Sequence, residues 1–241
     1  MRVKKGGQPI QKMLKPHLNH SLIRQIIEAA LRCDQAQELL NEEKAKLALK
    51  LILPLVDSKP LSMAERACDL AITALDKLID DCHIRKDFDA ALNYLEEWIR
   101  LKPSDLYPLI LKGEILYLEM NDIETAYQVF RQAVKLSPNC LEAWIYLANI
   151  ECSRRHYRKA VRYLIRAWQI LSNVHWGYPI AASVVTNIFE SLYGQTARLL
   201  ALFGDEKGAK VVITKGIKVV GGHSDYLNKI LQWLESKDND K

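Results

Sequence analysis

At 241 residues, 49% hydrophobic and 26% charged, the chain has the make-up of a soluble globular protein with material for one sizeable core or a compact array of repeats. Ten glycines and eight prolines leave long uninterrupted stretches, which disfavours a many-stranded β fold. No apolar run approaches the roughly 18 residues that would span a bilayer. The net charge of +5 lies at one end, because residues 1–20 hold Arg2, Lys4, Lys5, Lys12 and Lys15 and no acid, so residues 21–241 sum to zero.

In chain order, residues 1–18 read as a flexible basic tail without the apolar stretch of a secretory signal. Helical periodicity predicts an N-terminal pair over 19–61, with helices near 20–39 and 43–53 and Pro54 ending the second early. A long helix follows near 63–84, and repeats occupy 88–171, so 62–174 is expected as one repeat array. Asn173 to Pro179, with Gly177-Tyr178-Pro179, reads as a connector. Helices near 181–203 and 206–218 and, after Gly221-Gly222, near 225–236 make an irregular C-terminal repeat and capping helix over 175–238. The last carries Leu227, Ile230, Leu231 and Leu234 on one face, and the polar end from Ser236 reads as frayed.

Local start and stop signals agree. Asn139 with Glu142 and Ser62 with Glu65 have capping-box spacing. Asp87, Asp122 and Asp205 stand where second helices should begin, and Pro60, Pro103 and Pro138 fall after helices. Five cysteines (Cys33, Cys68, Cys82, Cys140, Cys152) without a CxxC pair read as reduced, mostly buried thiols, which points to a cytoplasmic setting with a nuclear one open.

The internal repeat is the strongest signal. Laying residues 107–140 over 141–174 matches Ala126 with Ala160, Phe130 with Leu164, Ala133 with Ala167 and Pro138 with Ser172, without a gap. Ile110 and Tyr117 in the first window share a helix, as do Trp144, Leu147 and Ala148 in the second. This resembles the tetratricopeptide repeat family, whose first helix carries a large residue, a Leu-small pair and a Tyr, and whose second carries Ala, an aromatic and Ala before Pro. The spacing recurs at Ala91, Leu95, Trp98 and Pro103, at Ala48, Ile52, Leu55 and Pro60, and at Ala209 and Ile213 with Gly216 in the later small position. The first window departs from the pattern, since Gly113-Glu114 stands where the Leu-small pair belongs. The resemblance implies an all-α fold: a right-handed superhelix, or α-solenoid, of antiparallel helix pairs closed by a C-terminal capping helix.

The resemblance also places the first helices of each pair along a concave binding surface. Its positions would be Leu111, Ile115 and Leu118, then Ile145, Asn149 and Cys152, with Asp76, Asp80 and His83 at an acidic end. Such a strip suits a helix or apolar peptide of a protein partner, or equally the chain's own terminal helix. The family's carboxylate-gripping mode is disfavoured, because Asp76, Asp80, Lys112, Glu142 and Tyr146 stand where cations and amides are needed.

A second candidate is the run Arg154, Arg155, His156, Arg158, Lys159, Arg162, Arg166, in which Arg155, Arg158 or Lys159, Arg162 and Arg166 share one helical face beside Tyr157 and Tyr163. It reads either as a docking face for an acidic protein or RNA, or as a solvated face balanced by neighbouring acids. Trp144, Glu151, Arg166 and Ala167 also resemble the half-a-tetratricopeptide repeats of RNA-processing factors. A chaperone for secretion or assembly components rests on the fold alone. Catalysis finds no motif: His17, His20, His83, His156, His175 and His223 form no helix-face pair, and phosphate loops and nucleophile elbows are absent. The expectation is a non-enzymatic scaffold or adaptor with no cofactor, no metal and no membrane insertion.

Overall fold

The computed structural model describes residues 20–57, 61–173, 182–222 and 224–239, and no strand occurs among them. The basic segment 1–18, Pro60 and most of the connector, including Gly177-Tyr178-Pro179, lie outside these residues. Among the described residues eleven α-helices follow one another: α1 His20–Asn41, α2 Ala45–Ile52, α3 Leu61–Arg85, α4 Phe88–Leu101, α5 Tyr107–Glu114, α6 Ile123–Leu136, α7 Leu141–Ser153, α8 Tyr157–Asn173, α9 Ala182–Leu202, α10 Glu206–Val219 and α11 Asp225–Asn239. Predicted boundaries agree to within three residues. At Pro54 the sequence also reads correctly: α2 stops at Ile52 and a 3₁₀ turn takes Leu53–Leu55.

The chain divides into two compact units, Met1–Pro103 and Ser104–Lys241, a boundary that falls inside the stretch read as one repeat array. In the first unit α2 packs on α1 and α3, and α4 on α3. Ala36, Leu40, Ile52, Leu75, Ile79 and Leu95 fill the core, and the Lys77 ammonium donates to the Leu40 carbonyl at the end of α1 (2.8 Å). In the second unit, one core joins α7, α8 and α9 around Ile145, Leu164 and Leu192. Another joins α9, α10 and α11 around Tyr193, Ile213, Leu227 and Leu234. The predicted face of α11 therefore meets α9 and α10, with Leu231 packed at its edge.

Each pair turns on the same device. Glu43, Lys86, Asn121, Arg155 and Gly204 adopt positive φ (61°, 58°, 54°, 61° and 85°), one between the two helices of each pair. After four of them, the next N–H returns to a carbonyl five residues earlier: Lys44 to Leu39, Asp87 to Cys82, His156 to Glu151 and Asp205 to Leu200, at 2.8–2.9 Å. Asp87, Asp122 and Asp205 then cap the second helix by accepting from Ala90 N, Thr125 N and Gly208 N at 3.2, 3.1 and 2.8 Å. The two capping boxes do not form. Cys140 is the N-cap of α7 and makes no side-chain cap bond, the Asn139 amide oxygen accepts from Arg166 instead, and Ser62 lies inside α3.

Counted from each left-handed residue, burial repeats five times. Five positions on stand Ala48, Ala91, Ala126, Ala160 and Ala209, all 0% exposed, and four further stand Ile52, Leu95, Phe130, Leu164 and Ile213, all buried. The alanines let the paired helices approach, and the larger residues fill the space that remains. Three more positions bring Leu55, Trp98, Ala133, Ala167 and Gly216, again all buried.

The irregular window has a local cause. From Ile115 to Glu119 the helix after α5 is π-bonded, so the Asp122 N–H reaches back six residues, to Leu116 (2.8 Å), rather than five. One surplus residue is stored there. Allowing for it, Gly113 becomes the small residue of its pair, matching Ala148 and Ala197, and buried Leu109 becomes the large one. A Cβ on Gly113 would lie 2.6 Å from the Phe130 ring.

Gly216 is glycine for the same kind of reason, since a Cβ there would stand 2.7 Å from Tyr193 Cβ, an atom that cannot swing aside. Gly216→Ala should therefore lower stability by about 1–3 kcal/mol, outweighing alanine's better helix propensity of about 1 kcal/mol. Urea unfolding checks this, and a stabilised variant would show that α9 and α10 can move apart without loss.

Candidate partner-binding site

In the second unit, the first helices of successive pairs share one side. Between them lie two cavities placed end to end along the α7–α9 seam. The first, about 440 Å³, is walled by Tyr107, Ile110, Leu111 and Glu114 of α5, Glu142, Ile145 and Tyr146 of α7, and Asn187, Ile188 and Ser191 of α9. The second, about 710 Å³, continues along the same helices at Asn149, Cys152 and Ser153 of α7 and Gln195, Arg198, Leu199 and Leu202 of α9. Tyr117, Tyr157 and four residues of α11 (Tyr226, Lys229, Ile230, Trp233) close it.

The cavities differ in charge. Every ionised side chain lining the first is acidic. Glu114 accepts from the Tyr146 hydroxyl (3.0 Å), whose ring stacks on Phe130 at 4.6 Å. Burial and then the Glu114 carboxylate push the Tyr146 hydroxyl well above the usual tyrosine range. The second is lined by cations: Arg198, its guanidinium 5.3 Å from the Tyr226 ring centre, and Lys229. The Asn149 amide oxygen is buried there and has no hydrogen-bond partner among the described residues. Burial pushes the Cys152 thiol up to about 11, against the opposing pull of Arg198.

Of the positions read from sequence, Leu111 and Ile145 line the first cavity, and Asn149 and Cys152 the second. Ile115 is 1% exposed and belongs to the core, while Leu118 is 61% exposed and lines neither cavity. The surplus residue explains Ile115: in the corrected frame it matches buried Ile150, and Glu114 takes the place corresponding to Asn149. The contributions of α9 and α11 were missed. Gly204 follows Arg155 by 49 positions where Arg155 follows Asn121 by 34, so no fixed offset leads to the wall of the third pair. In the first unit, burial and then the Asp80 charge raise the Asp76 carboxyl, and His83 Nε2 is buried with no hydrogen-bond partner among the described residues.

The basic run divides into two sets. Arg154 pairs with Glu124 and lies 4.7 Å from the Tyr127 ring centre. His156 and Lys159 face Glu151, itself 1% exposed, at 2.8 and 3.9 Å, and Arg166 donates to Pro138 O and Asn139 Oδ1 at 3.5 and 3.4 Å. Glu151 thus ties the α7–α8 turn together. Arg155, Arg158 and Arg162 are exposed and form no ion pair among the described residues. Beside them, a third cavity of about 440 Å³ opens between α8 and α9. Among the described residues no cluster of three or more His, Cys, Asp or Glu could hold a metal, and no helix is long and apolar enough to cross a membrane.

Residues 109–140 match the tetratricopeptide repeat model, a stretch running from α5 to the start of α7. Among solved structures, the chain is similar to YrrB, described as a TPR protein with an unusual peptide-binding site, at 13% identity over 87% of this chain and 94% of that one, with a TM-score of 0.52. It is also similar to TTC0263, a thermophilic TPR protein of Thermus thermophilus, at 15% identity over 86% of this chain and 98% of that one, with a TM-score of 0.50. At these identities the likeness is one of fold. No curated protein matches the chain in sequence.

A thiol raised to about 11 is almost wholly protonated at pH 8. Cys152 should therefore react with iodoacetamide about a hundredfold more slowly than a free peptide thiol, with a rate that keeps climbing toward pH 11. Peptide-level mass spectrometry of the native protein measures this. Rapid labelling at pH 8 would mean that the thiol side of the second cavity is open to water.

Proposed function

We propose that this tetratricopeptide-repeat protein is a non-enzymatic scaffold that holds a peptide or helix of a protein partner along the α7–α9 seam. The carrying observation is the pair of cavities set end to end, with apolar walls, acids at one end and cations at the other. A matching segment has apolar side chains at its middle, basic residues toward Glu114 and Glu142, and acidic residues toward Arg198 and Lys229.

Two observations narrow the mode. Glu142 and the Tyr146–Glu114 pair leave the first cavity without a cation for a terminal carboxylate. The C-terminal helix walls the second cavity rather than plugging it: Leu227, Ile230 and Leu234 face the α9–α10 core, and Trp233 stays 43% exposed. Five free cysteines suit a reducing, cytoplasmic setting. The peptide-binding site named for YrrB lends the reading a parallel on the same fold.

Selection of a random peptide library on the immobilised protein tests it. The expected consensus is a short apolar core with a basic flank on one side and an acidic flank on the other. Leu111→Asp and Trp233→Ala should each weaken the selected peptide about tenfold, with the helical circular dichroism unchanged. A library that yields no consensus, or peptides indifferent to both substitutions, would remove the seam as the binding site.

A further inference from the structure

The third cavity lies on a neighbouring face of α9 and stays outside the seam apart from the shared wall residue Leu199. Val161, Ile165 and Trp168 of α8 face Leu200 and Phe203 of α9 across it, and the Trp168 indole N–H is satisfied by Thr196 Oγ1 (3.1 Å). Its walls are almost wholly apolar, with Ile165 51% and Phe203 60% exposed. The single charged side chain among its lining is Arg158. Arg162 follows Arg158 at i+4 on the same face of α8, and Arg155 stands in the left-handed turn that leads into the helix. These are the three cations of the basic run that no acid among the described residues answers.

We infer that the α8–α9 cavity is a second docking site, for an acidic amphipathic segment of a partner protein that seats a large apolar side chain against Ile165, Trp168 and Phe203 and sets carboxylates against Arg155, Arg158 and Arg162. Charge and shape each exclude alternatives. Exposed guanidiniums would also suit a phosphate backbone, but most of this lining is aliphatic (Val161, Leu164, Ile165, Leu199, Leu200) rather than the aromatic platform on which bases stack, which favours an apolar side chain as occupant. The chain's own N-terminal segment, with five cations and no acid over residues 1–20, has the wrong sign. The C-terminal residues 236–241, Ser-Lys-Asp-Asn-Asp-Lys, offer no large apolar side chain. The first turn of α8 adds a partial positive charge beside Arg158. An anchor in the cavity supplies affinity, and the guanidinium row supplies orientation and encounter rate.

The probe is a fluorescein-labelled peptide carrying leucine and phenylalanine at i and i+4 among glutamates, followed by anisotropy against the full chain. A lysine-for-glutamate version and an oligouridylate serve as competitors. The expected result is saturable binding of the acidic peptide only. The double substitution Arg158→Glu with Arg162→Glu should weaken it about tenfold or more. Ile165→Ser should weaken it while leaving the salt dependence unchanged, and Trp233→Ala, in the other cavity, should leave it unaffected. Circular dichroism confirms folding, and Arg158→Gln gives a milder check on the charge. No binding, indifference to Ile165→Ser, or tighter binding of the oligouridylate would overturn the inference, the last by assigning the arginine row to RNA.

Discussion

Two antiparallel helices can share a core only if the chain reverses in few residues and the helices then approach closely. Here a single left-handed residue reverses the chain, and an alanine five positions later permits the approach. Glu43, Lys86, Asn121, Arg155 and Gly204 perform the first task, and five fully buried alanines perform the second. Non-glycine residues in this conformation are strained. The strain is offset because the N–H that follows closes onto the end of the first helix, and three of the five turns add an aspartate cap. With the second helices held in this way, the first helices of the second unit are left to line the seam.

The placement of charge follows from the same arrangement. Second helices carry the rows of alanine and a larger apolar residue and contribute almost nothing to the seam, where Tyr157 alone reaches it from α8. The turn before α8 and the outward face of that helix are free to hold cations, several of which serve the fold. His156 and Lys159 compensate the buried Glu151, Arg154 pairs with Glu124, and Arg166 bonds the turn before α7. The residue kinds that resemble an RNA-processing repeat, Glu151 and Arg166 among them, therefore have structural work here. The guanidiniums of Arg155, Arg158 and Arg162 form no such ion pair among the described residues.

Much of the fold was legible in the residues. Helix boundaries, the stop before Pro54, the three aspartate caps and the α11 face could be read because each depends on a few neighbouring positions. Three features could not. The left-handed turns at Glu43, Lys86 and Arg155 use residues with no turn signature. The wall built by α9 was hidden because that helix is 21 residues long and breaks the 34-residue offset. The α8–α9 cavity depends on the spacing between two helices, which no pattern along one chain encodes. Ile115 was misplaced for a subtler reason, since the α-helical count fails by one wherever the helix turns π.

That π-bonded turn has a consequence for how such a surface diversifies. Lys86 and Asn121 stand 35 positions apart, one more than Asn121 and Arg155, and the surplus sits wholly within Ile115–Glu119. A π-bonded turn absorbs one added residue, so the helix before it keeps its place in the pair while each position along it is filled by the residue one earlier in the chain. The reversal at Asn121 and the Ala126–Phe130 row stay in place, Leu109 and Gly113 take the buried positions of the pair, and Tyr107, Ile110 and Glu114 fall on the first cavity. A change of length by a single codon can thus exchange several side chains offered to a ligand at once, provided that suitable residues such as Leu109 and Gly113 fall on the buried positions, an evolutionary route to new specificity that substitution at any one site does not provide.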